Sequence, residues 1–200
     1  MDILALLKYS ALISLGVIII IPLIGMVINF IVTIILSHII RGKLYLFVAN
    51  TLTFPGVMYH ELSHALFAFI TGAKIEKISL YHKQGNQLGS VEIKTRGPWI
   101  NRSMQLSFSA CAPVIMGLLA EGVIFFVFAK VALPVWAMIL LGFLAFCVLL
   151  HMDMSGADIK GYLKGIVFVF FLFFVIAFLT LYSGNIDIHD MIQSGFKSVQ

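Results

Sequence analysis

The sequence predicts an all-α polytopic membrane protein of about five transmembrane helices, with one small β-hairpin inserted between helices. Three observations predict it. Of the 200 residues, 61% are hydrophobic and only 11% are charged, where a soluble domain carries roughly 25% charged residues. The apolar residues gather into long runs separated by short basic loops. Between residues 73 and 102 the pattern changes to alternation of apolar and polar side chains, which is the period of a strand. One integral membrane domain over residues 1–200 accommodates all of this.

The elements follow in order. Residues 10–40 form a first span, long enough to cross with tilt or with a kink near Pro22 and Gly25. It is too long for the apolar region of a signal peptide and lacks an Ala-x-Ala-like cleavage site, so it is read as a retained span. Arg41 and Lys43 end it. A second apolar stretch, 44–71, is broken by Pro55-Gly56. Proline suits the first turn of a helix, so a helix is predicted over 55–72 and closed by Gly72. Residues 44–54 are then a separate extended, re-entrant or tilted piece. KIEKISLYH and LGSVEIK both alternate, and a Gly85-Asn86 turn between them predicts a β-hairpin within 73–102. The remaining spans occupy 103–182. One covers 103–129 and contains Pro113 and Glu121, and a short one covers 134–150. After the polar interruption HMDMSGADIKG at 151–161 comes a last span at about 163–182. The tail 183–200 is polar and peripheral.

The formal charge of +4 does not indicate nucleic acid, because the basic residues sit in the short loops, where topology and anionic lipid explain them. If each run crosses once, nine of the 13 lysines and arginines fall on one side. That side is expected to be cytoplasmic, with the N-terminus inside and the C-terminus outside. Cys111 and Cys147 lie in apolar stretches without metal-site or disulfide spacing and read as membrane-buried thiols.

The segment VMYHELSHALFAF, residues 57–69, is the anomaly. Three ionisable side chains within five positions of an apolar helix are costly to desolvate unless something compensates them. His60 and His64 are four apart and share one helix face. Two imidazoles so placed can bind one Zn²⁺, while Glu61 stands beside the metal and takes a proton from water that the metal has acidified. The chain's own histidine and glutamate frequencies give roughly a 0.4% chance of any His-Glu-x-x-His at random. A catalytic zinc needs a third protein ligand. The candidates are Asp153, Asp158, Glu121 and His151. His64 lies about 12 Å along its helix from Gly72, and the interruption 151–161 falls on the same membrane side by the charge count, so both halves of the site approach from one face.

With those residues the chain resembles the site-2 protease family of intramembrane zinc metallopeptidases, especially its small bacterial members, over roughly residues 55–165. FPGVMYHELSHALFAFITGAKIEKISL is similar to the family's metal-binding helix running into its β-hairpin, and SACAPVIMGLL to the next helix, where the family has an Ala/Gly-Pro pair. The family's third ligand is an aspartate in a motif resembling N-x-x-P-x-x-x-L-D-G. LLHMDMSGADIKG occupies that place, and the resemblance puts the ligand at Asp158, with Asp153 the runner-up. The asparagine and proline are missing, and the glycine comes three residues after the aspartate.

What the resemblance implies is a zinc-dependent intramembrane endopeptidase in a bacterial plasma membrane, acting on membrane-spanning protein or peptide substrates. One Zn²⁺ per chain would be held by His60, His64 and Asp158, with Glu61 as general base. A substrate strand adding to the hairpin edge is implied as well. The rival is a non-proteolytic metal-binding membrane protein, a pseudoprotease-like regulator or scaffold, which would need the ligands but not Glu61. A metal transporter would require a polar path to both faces. Glu121 reads as paired or protonated within the bundle, or as a partner of the site. His151 reads as an ordinary interfacial histidine and Ser63 as a small packing residue.

Overall fold

The computed structural model describes residues 3–80 and 88–184. Packing divides the chain into two compact units. The first holds the N-terminal part of helix α1 (Ile3–Ile39), up to Ile19, and helix α7 (Ile166–Ser183) from Val167. Within it Ser10 and Ser14 are fully buried, and their hydroxyls donate back to the carbonyls of Leu6 and Ser10 at 2.8 and 2.7 Å. That satisfies each hydroxyl inside its own helix, as an apolar setting requires. On α7 the rings of Phe170, Phe174, Phe178 and Tyr182 stack at four-residue intervals, as helical periodicity dictates.

The second unit, Ile20–Ile166, carries the polar helix. After α1 come a short helix α2 (Gly42–Phe47) and a π-helical turn at Val48–Leu52, which lead into α3 (Phe54–Ile70). Of the piece 44–54, the residues up to Phe47 are α-helical and Val48–Leu52 is wound wide, which leaves out the extended alternative. Its cluster of Leu36, Val48 and Leu150 ties it to α1 and to the helix α5 (Val135–His151). Pro55 sits in the first turn of α3, where its missing N–H costs no bond. The exit is Gly72 at φ +79°, a left-handed conformation that suits glycine.

Strands β1 (Lys74–Ser79) and β2 (Ser90–Lys94) pair antiparallel, Ile75 opposite Ile93 and Ile78 opposite Val91, with a bulge between Ile75 and Lys77. The Gly85-Asn86 turn lies outside the described residues. Helix α4 (Trp99–Lys130) follows and grips both ends of the hairpin through the buried Gln105. The Gln105 Oε1 accepts from the Arg96 N–H at 2.8 Å, and Nε2 donates to the Thr71 and Arg96 carbonyls at 3.2 and 3.3 Å.

After α5 the chain turns through 64° into α6 (Gly156–Lys164). The turn is anchored by buried Met152 and Met154. Gly25 of α1 and Gly117 of α4 leave room for Met152, since a Cβ on Gly25 would stand 3.0 Å from the Met152 carbonyl and one on Gly117 2.8 Å from its Cβ. Asn29 of α1 donates to the Leu150 carbonyl at 2.6 Å, serving one of the acceptors that the end of α5 leaves open.

Among the described residues, three helices are long and apolar enough to cross a membrane: α1, α4 and α7. The bent α5–α6 pair makes four if it counts as one span. The sequence predicts about five. The count differs through the 17-residue helices α3 and α5, which at 1.5 Å per residue reach about 26 Å, at the short end of what crosses a bilayer.

Close helix approach sets this unit. A Cβ on Gly56 would collide with the Cys147 carbonyl and stand 2.7 Å from the His151 ring, so α3 and α5 touch backbone to backbone there. Gly56→Ala is expected to cost about 1–3 kcal/mol by overpacking and to lower the thermal midpoint in detergent. Gly142→Ala, with nothing within 4 Å of its Cβ, is expected to leave that midpoint unchanged.

Candidate metal centre

Three helices converge on the polar face of α3. His60 and His64 lie one turn apart, with ring centroids 4.7 Å apart and planes at 76°. Each ring is turned by a backbone carbonyl. His60 Nδ1 donates to the His151 carbonyl at the end of α5, and His64 Nδ1 donates to the Ser109 carbonyl of α4, both at 2.6 Å. A carbonyl can only accept, so both rings carry a proton on Nδ1, and in the neutral form each presents a bare Nε2. The two Nε2 atoms face each other at 3.0 Å. Two bare acceptors at that distance repel, and either a proton or a metal cation between them relieves the repulsion.

Asp158 completes the group from α6. Its Oδ1 is 3.3 Å from His64 Nε2, and its Oδ2 is 3.9 Å from His60 Nε2. The carboxylate is held by a local capping box. Ser155 N–H and Oγ–H donate to Oδ2 at 2.9 and 2.6 Å, while the Asp158 N–H donates to Ser155 Oγ at 3.2 Å. The three side chains offer ligand atoms all within 4.8 Å of one another. Zinc bonds of about 2.0–2.2 Å set tetrahedral ligand–ligand edges near 3.4 Å; the two imidazole nitrogens are 3.0 Å apart, and Asp158 comes within 3.3 Å of one through Oδ1 and within 3.9 Å of the other through Oδ2. Two imidazole nitrogens and one carboxylate oxygen are also the donor chemistry of a catalytic zinc site with an open position. The residues fit the ion.

Glu61 is buried beside this group without being part of it. It lines the same cavity of about 380 Å³ as the three candidate ligands. The start of β2 forms the facing wall through Gly89, where a Cβ would stand 2.6 Å from Glu61 Cγ and 2.9 Å from its Oε1. Asp153 lines the cavity but stays outside the ligand group. Glu121 does not line it, and its Oε1 is buried without a hydrogen-bond partner among the described residues. His151 contributes its carbonyl to His60, and its ring Nε2 lies 3.0 Å from the hydroxyl of the fully buried Thr53. Ser63 donates to the Tyr59 carbonyl at 2.7 Å, inside its own helix.

Sequence reasoning passed over Ser155 and Ser109. Ser155 carried a legible signal, since Ser-x-x-Asp is a capping pattern at the start of a helix. Ser109 carried none, because it acts across 45 positions of chain.

Apolar helices that bring two histidines and an aspartate together beside a buried glutamate define a membrane protein with a candidate metal centre. The comparison with known families agrees: residues 24–192 match the Peptidase M50B-like family. The chain belongs to that family, and with it to the site-2 proteases. No curated protein and no solved structure gives a match.

In detergent-purified protein, zinc content is expected near one ion per chain. Separate His60→Ala and Asp158→Ala substitutions are expected to lose it, while Asp153→Ala retains it. Elemental analysis with a protein assay reads all four.

Proposed function

We propose that this chain is a zinc-dependent intramembrane endopeptidase acting on membrane-spanning protein or peptide substrates. The observation that carries the reading is the pair of bare imidazole nitrogens facing each other beside Asp158, with Glu61 buried in the same cavity. His60, His64 and Asp158 would hold the ion, which when bound supplies Lewis acidity that lowers the pKa of water and polarises a carbonyl.

The remaining work falls to the chain itself. Glu61 accepts a proton from the water that attacks the scissile carbonyl carbon, then delivers it to the amide nitrogen as the C–N bond breaks. One product leaves with a new carboxylate and the other with a free amine. Pure metal binding would not need this carboxylate, which favours catalysis over a scaffold role.

The substrate's conformation follows from the cavity wall. Leu88 to Val91 and Ile93 of the β2 segment line the cavity. In a sheet of two strands, β2 has one side paired with β1. An extended substrate adding to the other side would run past Glu61, and a transmembrane helix would first have to unwind there. Gly89 keeps that path clear. The charge distribution supports a cytoplasmic N-terminus and a cytoplasmic hairpin, in a bacterial plasma membrane by resemblance to the small bacterial members.

Two experiments test the reading. Glu61→Gln is expected to lower the turnover of a single-span substrate by at least about 100-fold while zinc content stays near one ion per chain; cleavage at the wild-type rate would overturn the assignment. Gly89→Ala is expected to reduce turnover with zinc retained, because the new methyl group displaces the Glu61 carboxylate without touching a ligand.

A further inference from the structure

Helix α4 runs unbroken from Trp99 to Lys130 with Pro113 inside it. In an α-helix the N–H of residue 113 would bond to the carbonyl of residue 109. Proline has no N–H, so Ser109 is left with an open carbonyl in mid-helix. Ser109 is only 4% exposed, although it lines the cavity, and Pro113 is fully buried, so an unpaired carbonyl there would be costly. The partner it has is His64 Nδ1, at 2.6 Å. The Ser109 hydroxyl donates in return to the His64 carbonyl at 3.1 Å. Helix α4 thus meets α3 through a reciprocal pair at His64 and Ser109, beside the Tyr59 hydroxyl that donates to the Met116 carbonyl at 2.8 Å, and the Ser109 carbonyl is open to that pair because residue 113 lacks an N–H.

We propose that Pro113 is a positioning residue of the metal centre, which frees the Ser109 carbonyl to fix the tautomer and tilt of His64. The inference rests on the reading of His60, His64 and Asp158 as a metal site. Any other residue at 113 brings an N–H that bonds the same carbonyl along the helix axis, so the oxygen is shared between two donors and its bond to His64 Nδ1 is weakened and redirected. His64 then loses its fixed Nδ1–H tautomer, and Nε2 becomes protonated for part of the time and unable to bind a cation. The arrangement has a counterpart at His60, whose acceptor is free for another reason: the His151 carbonyl lies at the end of α5, where no further turn follows.

The test compares wild type with Pro113→Ala and Pro113→Val, which both restore the N–H while changing side-chain volume in opposite directions. Three readouts are taken: zinc affinity by chelator competition, thermal midpoint of the metal-free protein, and the ¹⁵N signature of the His64 tautomer without metal. Zinc affinity is expected to fall about 10- to 100-fold in both variants. The metal-free Pro113→Ala protein is expected to melt no lower than wild type, since alanine suits a helix interior far better than proline. The His64 resonances are expected to move from one tautomer to a mixture. Ser109→Ala, which keeps the carbonyl, is expected to keep the Nδ1–H tautomer.

Unchanged affinity and tautomer in both variants would overturn the proposal. So would a loss of zinc accompanied by a collapse in melting temperature and an unaltered tautomer, which would mark Pro113 as structural only. If wild type takes up no zinc, the metal-site reading falls, and the tautomer of the metal-free protein still decides whether Pro113 fixes His64.

Discussion

The centre of this molecule depends on two hydrogen bonds of 2.6 Å, from His60 to the His151 carbonyl and from His64 to the Ser109 carbonyl. A histidine has two equivalent places for its proton until a partner chooses one. Here each choice is made by a main-chain oxygen on a neighbouring helix, so the helices α3, α4 and α5 must be in register before the site exists. The consequence is a pair of lone pairs aimed at one point, with the Asp158 carboxylate brought to the same point. The geometry of the candidate metal centre is therefore set by helix packing.

Backbone oxygens are suitable acceptors in this setting because an apolar bundle offers few others. Nearly every carbonyl in such a bundle is already engaged along its own helix. Those that are open lie at helix ends or opposite a proline. The same economy governs the turn between α5 and α6, where Asn29 reaches across to the Leu150 carbonyl one residue before His151. Small residues allow the approach: Gly56 lets α3 touch α5, while Gly25 and Gly117 make the pocket for Met152. The contacts that position the ligands are thus built from side chains that are small or missing.

The third ligand candidate is held differently. Asp158 is placed by its own turn, through a capping box with Ser155. The chain lacks the asparagine and proline of the motif that it resembles, and the local cap does the orienting instead. The negative carboxylate also lies in the first turn of α6, where the helix dipole favours it. Opposite it, the hairpin is tied to α4 by Gln105, which brings Gly89 against Glu61. One wall of the cavity is thus rigid backbone from helices, and the other is the edge of a strand.

Much of this was legible in the linear chain, because it depends on near neighbours. Composition identifies a membrane protein, Pro55 and Gly72 mark the start and end of α3, and period-two alternation marks the strands. The spacing of His60, Glu61 and His64 on one helix needs no tertiary information. The same local logic could have found the Ser155–Asp158 cap. Other features had to wait for the fold. Whether Asp153 or Asp158 meets the histidines depends on a 64° turn that composition does not encode. The wide-wound path of 48–52 is set by packing against Leu36 and Leu150 rather than by its own propensity. The acceptors for the two imidazoles lie 91 and 45 residues away. The sequence determined which groups could bind a metal, since that follows from side-chain chemistry and helical period. Only the tertiary structure decided which nitrogen each histidine presents, because that is set by carbonyls whose positions exist only once the helices have packed.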